Sequence, residues 1–334
     1  MKLNLVLGAA LLAAFVSCKE KKDKNIVEEI VEIEEVTPET YAEISIKKGG
    51  SWKEGSREYD GGAFENVDEL VVPEEHTDHS WYIRYEGPGW ENKQIAYRLY
   101  LDWRNAMDIF GKKVDTLVLP YVGTDGFDSY HNNAAWGQDI LKAGKSMGIG
   151  GYGRFTGDTI AHFDEVAKTS VKVANEEAHS SVTIDYEGWK TGDVTTDLKS
   201  VISIFPEDRF LKAELTPNTS FEGLATGIVK FDDIPVMEAT SESGAWAYIA
   251  TYGVQTLAGE NDQLGMAIFY KTDQAKATEG PHDHLVVFNA STETQTYYIL
   301  SAWDQEQDGI KSKEAFEQDL TEKLATLDAN GMLE

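Results

Sequence analysis

The hydrophobic positions of this chain recur in short runs of strand length, and the two-residue alternation is clearest over Ile95–Arg104. Successive side chains of a strand point to opposite faces. One face of this stretch carries Ile95, Tyr97, Leu99, Leu101 and Trp103, fit to lie on a core, and the other carries Ala96, Arg98, Tyr100, Asp102 and Arg104. An antiparallel strand with one wet face alternates in this way. Casual wet faces, however, favour Lys, Glu and Thr. Arginine forks with an aromatic between them suit a carboxylate or a sulfate.

Further Val/Ile/Tyr/Phe/Trp-rich runs predict strands at Ser80–Glu86, Val114–Leu119, Val182–Tyr186, Val201–Phe205, Gly227–Phe231, Trp246–Tyr252, Met266–Tyr270, Leu285–Asn289 and Thr296–Trp303. Glu86-Gly87-Pro88-Gly89 reads as the turn that returns the Ser80 strand into the central one. Strands do not alternate with long helices, which excludes a parallel α/β sheet. One helix is predicted. Ser312 is its N-cap, Phe316, Leu320, Leu324 and Leu327 recur at helical spacing, and Asn330-Gly331 ends it. A weaker helical pattern spans Asn133–Lys145. The expected class is all-β: a large antiparallel β-sandwich with a few short helices and a C-terminal helix.

The N-terminus follows another logic. Lys2, an apolar run from Leu5 to Val16, then Ser17 and Cys18 have the order of a secretory signal, and the run is too short to span a membrane as a helix. Leu11–Cys18 resembles a bacterial lipoprotein signal. Cys18 is the only cysteine, so the mature chain has no disulfide and no thiolate metal site. Residues 1–17 are read as the signal peptide, 18–45 as a lipidated, flexible acidic tether, and 46–334 as a single domain. This predicts a membrane-anchored lipoprotein, periplasmic or associated with the outer membrane.

The chain has 30 basic and 58 acidic residues, a net charge of −28. Nucleic acid and anionic membrane surfaces are poor partners for it. An anionic ligand remains compatible, because diffuse surface charge is screened over about 8 Å in physiological salt while a partly desolvated arginine pair is not.

Chemistry-bearing residues gather in Asp128–Gly151: Tyr130, His131, Trp136, Asp139, Lys142 and Lys145. Gly144-Lys145-Ser146 lacks the glycine a P-loop needs five positions before its Gly-Lys, where this chain has Asp139. The pairs His282/His284 and His76/His79 have unspecific metal-ligand spacing. His162, beside Asp164 and Glu165, reads as an exposed loop residue. No metal or cofactor is expected.

Tyr85-Glu-Gly-Pro-Gly-Trp-Glu-Asn, Tyr97-Arg-Leu-Tyr-Leu-Asp-Trp-Arg-Asn-Ala-Met-Asp-Ile-Phe-Gly-Lys-Lys and Trp136-Gly-Gln-Asp-Ile-Leu-Lys-Ala-Gly-Lys-Ser together resemble one family of exported Bacteroidota proteins. It was long catalogued as a domain of unknown function and is found with polysaccharide-degrading enzymes, and one branch is the ulvan oligosaccharide dehydratase. The resemblance implies a sandwich similar to that of galactose mutarotases and certain polysaccharide lyases. It also implies removal of water from a non-reducing-end uronic acid to leave a 4,5-unsaturated sugar.

In that chemistry the abstracted proton lies beside a carboxylate whose charge must be neutralised, a role suited to Arg98 and Arg104. His131 and Tyr130 are the first candidates for proton transfer, with His179 as a possible second half of an acid/base pair. Trp136 or Trp90 are candidates to stack on a sugar ring. Asp102 and Asp139 would hold the arginines or bind hydroxyls, and Lys142 and Lys145 would meet a sulfate. The partner expected is an anionic oligosaccharide. Two other readings stay open: a carbohydrate-binding lipoprotein without turnover, and a mutarotase or epimerase.

Overall fold

The computed structural model describes residues 38–125 and 129–333. The residues read as a signal peptide, Cys18, and most of those read as a tether lie outside them. The first nine strands are β1 (Thr40–Glu43), β2 (Ser45–Trp52), β3 (Tyr59–Asn66), β4 (Glu69–Val71), β5 (Gly89–Asn92), β6 (Ile95–Leu99), β7 (Met107–Lys112), β8 (Gly137–Asp139) and β9 (Ile149–Phe155). The domain begins earlier than the sequence suggested. Thr40–Glu43, assigned to the tether, pairs with β5 as an edge strand.

The first sheet has the order β1-β5-β6-β7-β8, and a second five-stranded sheet is built around β9, Leu224–Val229 and Asp283–Phe288. The third has nine strands and runs from Met237–Thr240 through Gln295–Trp303 and Phe210–Pro217 to β4, and β2 and β3 form a separate ribbon. Every pairing of named strands that is recorded is antiparallel, as β5, β6 and β7 illustrate. The first two sheets meet at a single parallel bridge between Met107 and Gly148.

One continuous core fills the space between the nine-stranded sheet and the two smaller ones. Trp90, Ile95, Tyr97, Leu99, Met107 and Ile109 enter it from the first sheet, Ile149, Tyr152 and Ile228 from the second, and Ile184, Ile202, Ile268 and Ile299 from the third. This is the expected antiparallel sandwich. The far face of the large sheet is covered by helix α1 (Lys313–Asn330), whose Phe316, Leu320, Leu324 and Leu327 pack with Trp246, Tyr248 and Phe269. The helix begins and ends where its local signals place it. The Ser312 hydroxyl accepts the Ala315 N–H, and Gly331 closes the last turn at φ 77°.

Gly148 is a position only glycine fills. It sits at φ 72°, and a Cβ there would lie 1.8 Å from the Met107 carbonyl oxygen, at the bridge joining two sheets. Gly148→Ala is expected to cost about 2 kcal/mol or more, measured as a lower urea midpoint at unchanged slope.

Three predicted elements differ. Ser80–Glu86 is not a strand but a strap that ends in a 3-10 turn at Arg84–Glu86. Val114–Leu119 is a loop, because the N–H groups of Val118 and Leu119 are donated to the Glu91 carboxylate at 2.7–2.8 Å rather than to a neighbouring strand. Asn133–Lys145 is not a helix. Gly137, at φ 134°, packs so closely on Gly111 that a Cβ would lie 1.8 Å from its carbonyl oxygen, and Gln138 and Asp139 extend as β8 beside β7.

Candidate functional site

The central strand is shorter than predicted and ends at Leu99. Tyr100 N–H turns to the Ala106 carbonyl at 2.9 Å, and the Asp102 carboxylate accepts the Arg104 N–H at 2.9 Å, which folds residues 102–105 into a tight turn. The two faces of β6 are as the alternation requires, with Ile95, Tyr97 and Leu99 in the sandwich core. Trp103 is an exception, 45 % exposed instead of buried.

The opposite face is not wet. Residues of the loops on either side of the undescribed positions 126–128 roof it: Ala96 and Phe110 pack there against Val118, Leu119, Val122 and Tyr130. Beneath this roof lie buried charges. Arg98 is 2 % exposed. Its Nη2 donates to Asp108 at 2.9 Å and Asp139 at 2.7 Å, and its Nη1 donates to the Tyr130 hydroxyl at 3.1 Å. Tyr100 donates to Asp108 at 2.6 Å. Lys112 pairs with Glu91 at 2.8 Å, and Arg84 with Glu43. These pairs are satisfied internally, as buried charge must be. Burial and the adjacent Asp139 push the Asp108 carboxyl up, against the pull of Arg98.

Over this layer opens a cavity of about 620 Å³, within the range of small-molecule sites. The ribbon contributes Lys47 and Phe64, the strap His79, Trp81, Arg84, Tyr85 and Glu86, and the roof Tyr130. Four strap residues, His79, Trp81, Tyr85 and Glu86, have φ of 56°, 63°, 41° and 71°. All four line the cavity. Left-handed backbone at bulky non-glycine residues is costly and concentrates at functional sites.

The strap is held by its own polar groups. His79 Nδ1 lies 2.6 Å from Asp78, and the Glu86 carboxylate accepts the His79 N–H at 3.1 Å. Arg104 lies 3.3 Å from Glu86 and 2.9 Å from Asp78, and its Nε donates to Asp102 at 2.9 Å. Asp78, His79 and Glu86 offer ligand atoms within 4.8 Å of one another, a possible grouping for a cation. The Arg104 guanidinium already neutralises its two carboxylates and would face a divalent ion at contact distance.

Tyr130 is 2 % exposed. Burial pushes its phenol well above the ordinary value, although Arg98 pulls the other way. The hydroxyl is therefore neutral at physiological pH, and the Arg98 guanidinium beside it is the group that eases loss of its proton. Lys47 carries a cation to the cavity wall, its ammonium 5.6 Å from the Phe64 ring centroid. The Nε of Arg84 is buried without a hydrogen-bond partner among the described residues.

The structure brings together four of the residues picked out from sequence: Arg98, Tyr130, His131 and Asp139. His131 Nδ1 lies 3.0 Å from Asp139, and its ring is 4.5 Å from that of Tyr130. It lies outside the cavity lining. Arg98 needs correction, because its forks are spent on internal partners and it positions Tyr130 and Asp139 rather than meeting a ligand. Arg104 and Asp102 pair with each other behind Glu86.

The remaining candidates lie elsewhere. His179 stacks on Phe205 at 5.7 Å in the turn between the strands Lys168–Asn175 and Ser180–Thr191, and it is not among the residues lining the cavity. Trp90 is core, 0 % exposed. Trp136 is half-buried edge-on to Phe110. Lys142 and Lys145 are exposed on the loop after β8, outside the cavity lining, and not on a shared helix face. Sequence reasoning missed Lys47, Trp81, Arg84 and Glu86, and considered His79 only as half of a metal pair. The one local signal was the Asp78-His79 adjacency.

Fold and site define an antiparallel β-sandwich protein with an aromatic-walled cavity, at which cations, a His–Asp pair and a protonated tyrosine converge. The chain belongs to the family described as "Domain of unknown function (DUF4861)", which matches residues 7–329. A comparison with curated proteins gives no match. Among solved structures it is similar to one titled "Crystal structure of a putative aldose 1-epimerase from Klebsiella pneumoniae subsp. pneumoniae MGH 78578". Identity to that protein is 9 %, the TM-score is 0.32, and the match covers 73 % of this chain and 84 % of that one.

Proposed function

We propose that the protein is a hydro-lyase that removes water from the terminal uronic acid of an acidic oligosaccharide of the ulvan type. The observation that carries this reading is the Tyr130 phenol, protonated and fixed by Arg98, in a cavity that also holds Lys47, Arg84 and the His79–Asp78 pair. Lys47 faces the uronate carboxylate and acidifies the proton at C5, while Arg84, paired with the buried Glu43, adds its field from behind the cavity wall. His79, oriented by Asp78, takes that proton. The C–H electron pair becomes the C4–C5 double bond, the C4–O bond breaks, and Tyr130 protonates the departing hydroxyl as water. Solvent then returns the proton from His79 to the tyrosinate.

The test is incubation with saturated, uronate-terminated ulvan oligosaccharides, following absorbance of the conjugated double bond and loss of one water by mass. Binding without turnover would replace the lyase by a carbohydrate-binding role. Interconversion of sugar isomers without loss of water would replace it by an epimerase or mutarotase.

The two histidines separate the assignments. His79→Ala is expected to lower kcat about 10²–10⁴-fold, the usual worth of a positioned base. His131→Ala, outside the lining, is expected to lower it less than about tenfold. The reverse order, in rates at saturating substrate, would transfer the base to His131.

The proposal includes export and a lipid anchor at Cys18, supported by Lys2, the apolar run Leu5–Val16 and the lone cysteine. Among the described residues no helix is long and apolar enough to cross a membrane.

A further inference from the structure

On the other side of the strap lies a second depression, a groove of about 940 Å³. His76 and Thr77, at the start of the strap, line the groove, whereas His79 and Trp81 line the cavity. The Asp102–Arg104 pair stands between them, with Asp102 on the groove side and Arg104 reaching Glu86 on the cavity side.

The groove has three properties that together define a ligand. The first is apolar exposure. Val71 and Trp103, 58 % and 45 % exposed, are two of the exposed large hydrophobic residues of the domain, and both line it. Trp103 is a fixed platform, because its carbonyl accepts the Phe163 N–H at 2.9 Å and its ring meets His162 edge-on at 5.6 Å. The turn at 102–105 breaks the strand and turns this tryptophan outward. Strand alternation alone would set it on the core face, and among the described residues nothing covers it.

The second property is charge. The lining holds three cations, Arg57, Lys168 and Lys190, and four carboxylates, Glu74, Asp102, Asp164 and Glu165. Lys190 pairs with Glu165, Lys168 with Glu187 outside the lining, and the Arg57 guanidinium is spent on the carbonyls of Glu74, Glu75 and His76. In a chain of net charge −28 this is a nearly balanced surface, and each of its cations is already paired or hydrogen-bonded, so it offers no unspent cation for an anion. The third is the imidazole of His76. It is buried, its Nδ1 is bonded to the Ser80 hydroxyl at 2.8 Å, and its Nε2 has no hydrogen-bond partner among the described residues, which leaves one ring nitrogen to match a hydroxyl.

We infer that this groove is a binding site for a neutral saccharide chain, with Trp103 as the stacking platform. An aromatic face takes the apolar C–H face of a sugar ring, while the paired charges of the rim take its hydroxyls. The inference does not rest on the dehydratase reading: it requires neither turnover nor an acidic sugar.

Saturation-transfer NMR on the full domain with three neutral probes, the β-1,4-linked hexasaccharides of xylose, glucose and mannose, tests it. At least one is expected to bind, Trp103→Ala to weaken it at least about tenfold, and Trp103→Phe to restore binding to within about threefold of the parent. Tyr130→Phe, in the separate cavity, is expected to leave that binding unchanged. Binding by none of the three, or binding indifferent to Trp103→Ala, overturns the inference. Loss on Tyr130→Phe but not on Trp103→Ala would assign the saccharide to the cavity and equally overturn it.

Discussion

Arg98→Met is expected to destabilise the protein by about 3–5 kcal/mol, the cost of leaving buried carboxylates without their partner. Asp108 and Asp139 both bond the same guanidinium nitrogen at 2.9 and 2.7 Å, and all three groups are at most 2 % exposed. Methionine keeps most of the volume, so the loss is electrostatic rather than a cavity. At about 2–4 °C per kcal/mol for domains of this order of size, the melting temperature falls by about 10 °C. Calorimetry and urea denaturation read it directly. A loss under about 1 kcal/mol would show that the network is not under electrostatic load.

The sign of the pH response follows. Asp108 is held above its ordinary value by burial and by Asp139, so its protonated form is favoured in the fold. Such a group contributes stability below its unfolded pKa, and that contribution is lost as pH rises through the folded value. Without Arg98 the opposing pull disappears and the folded value rises further. The Arg98→Met defect is therefore expected to be smallest at mildly acid pH and largest above neutrality. Adding Asp108→Asn should recover part of it, so that the double variant is less destabilised than the sum of the two single effects.

These residues also mark the boundary of what sequence shows. The two faces of β6 were legible because period-two alternation is a local property, and α1 was legible because Ser312 and Gly331 are local signals. The roof was not. A face that carries Arg98 reads as wet unless Val118, Leu119, Val122 and Tyr130, twenty to thirty-two positions away, are known to cover it. The strap was misread for a related reason. Trp81, Tyr82, Ile83 and Tyr85 have strand composition, and nothing in a bulky residue's identity announces positive φ. Their conformation is fixed by side-chain bonds: Ser80 with His76 at 2.8 Å and the Glu86 carboxylate on the His79 N–H at 3.1 Å within the strap, and Tyr85 on Glu43 at 2.6 Å from outside it. The site residues that sequence reasoning missed are mostly on this strap. Local composition set them in a strand, and tertiary bonds set them round a cavity.

Tyr130→Phe is expected to leave the fold intact and to lower kcat about 10²–10⁴-fold with little change in KM. The substitution removes one oxygen. Arg98 keeps Asp108, Asp139 and the Tyr85 carbonyl as acceptors, so the guanidinium is not stranded, and the ring keeps its edge-on contact with Phe110 at 5.7 Å. The loss is confined to the proton that the proposed elimination needs at the leaving hydroxyl, an interaction made in the transition state and hardly in the ground state. A substrate whose C4 oxygen leaves as a weaker base needs that proton less. A C4 ester of the same uronate should therefore be eliminated by Tyr130→Phe at a rate much closer to the parent's. If both substrates lose rate equally, Tyr130 serves binding or orientation rather than acid catalysis. If neither loses rate, the proton comes from another group, and His131, 4.5 Å from the tyrosine ring and held by Asp139, is the next to replace.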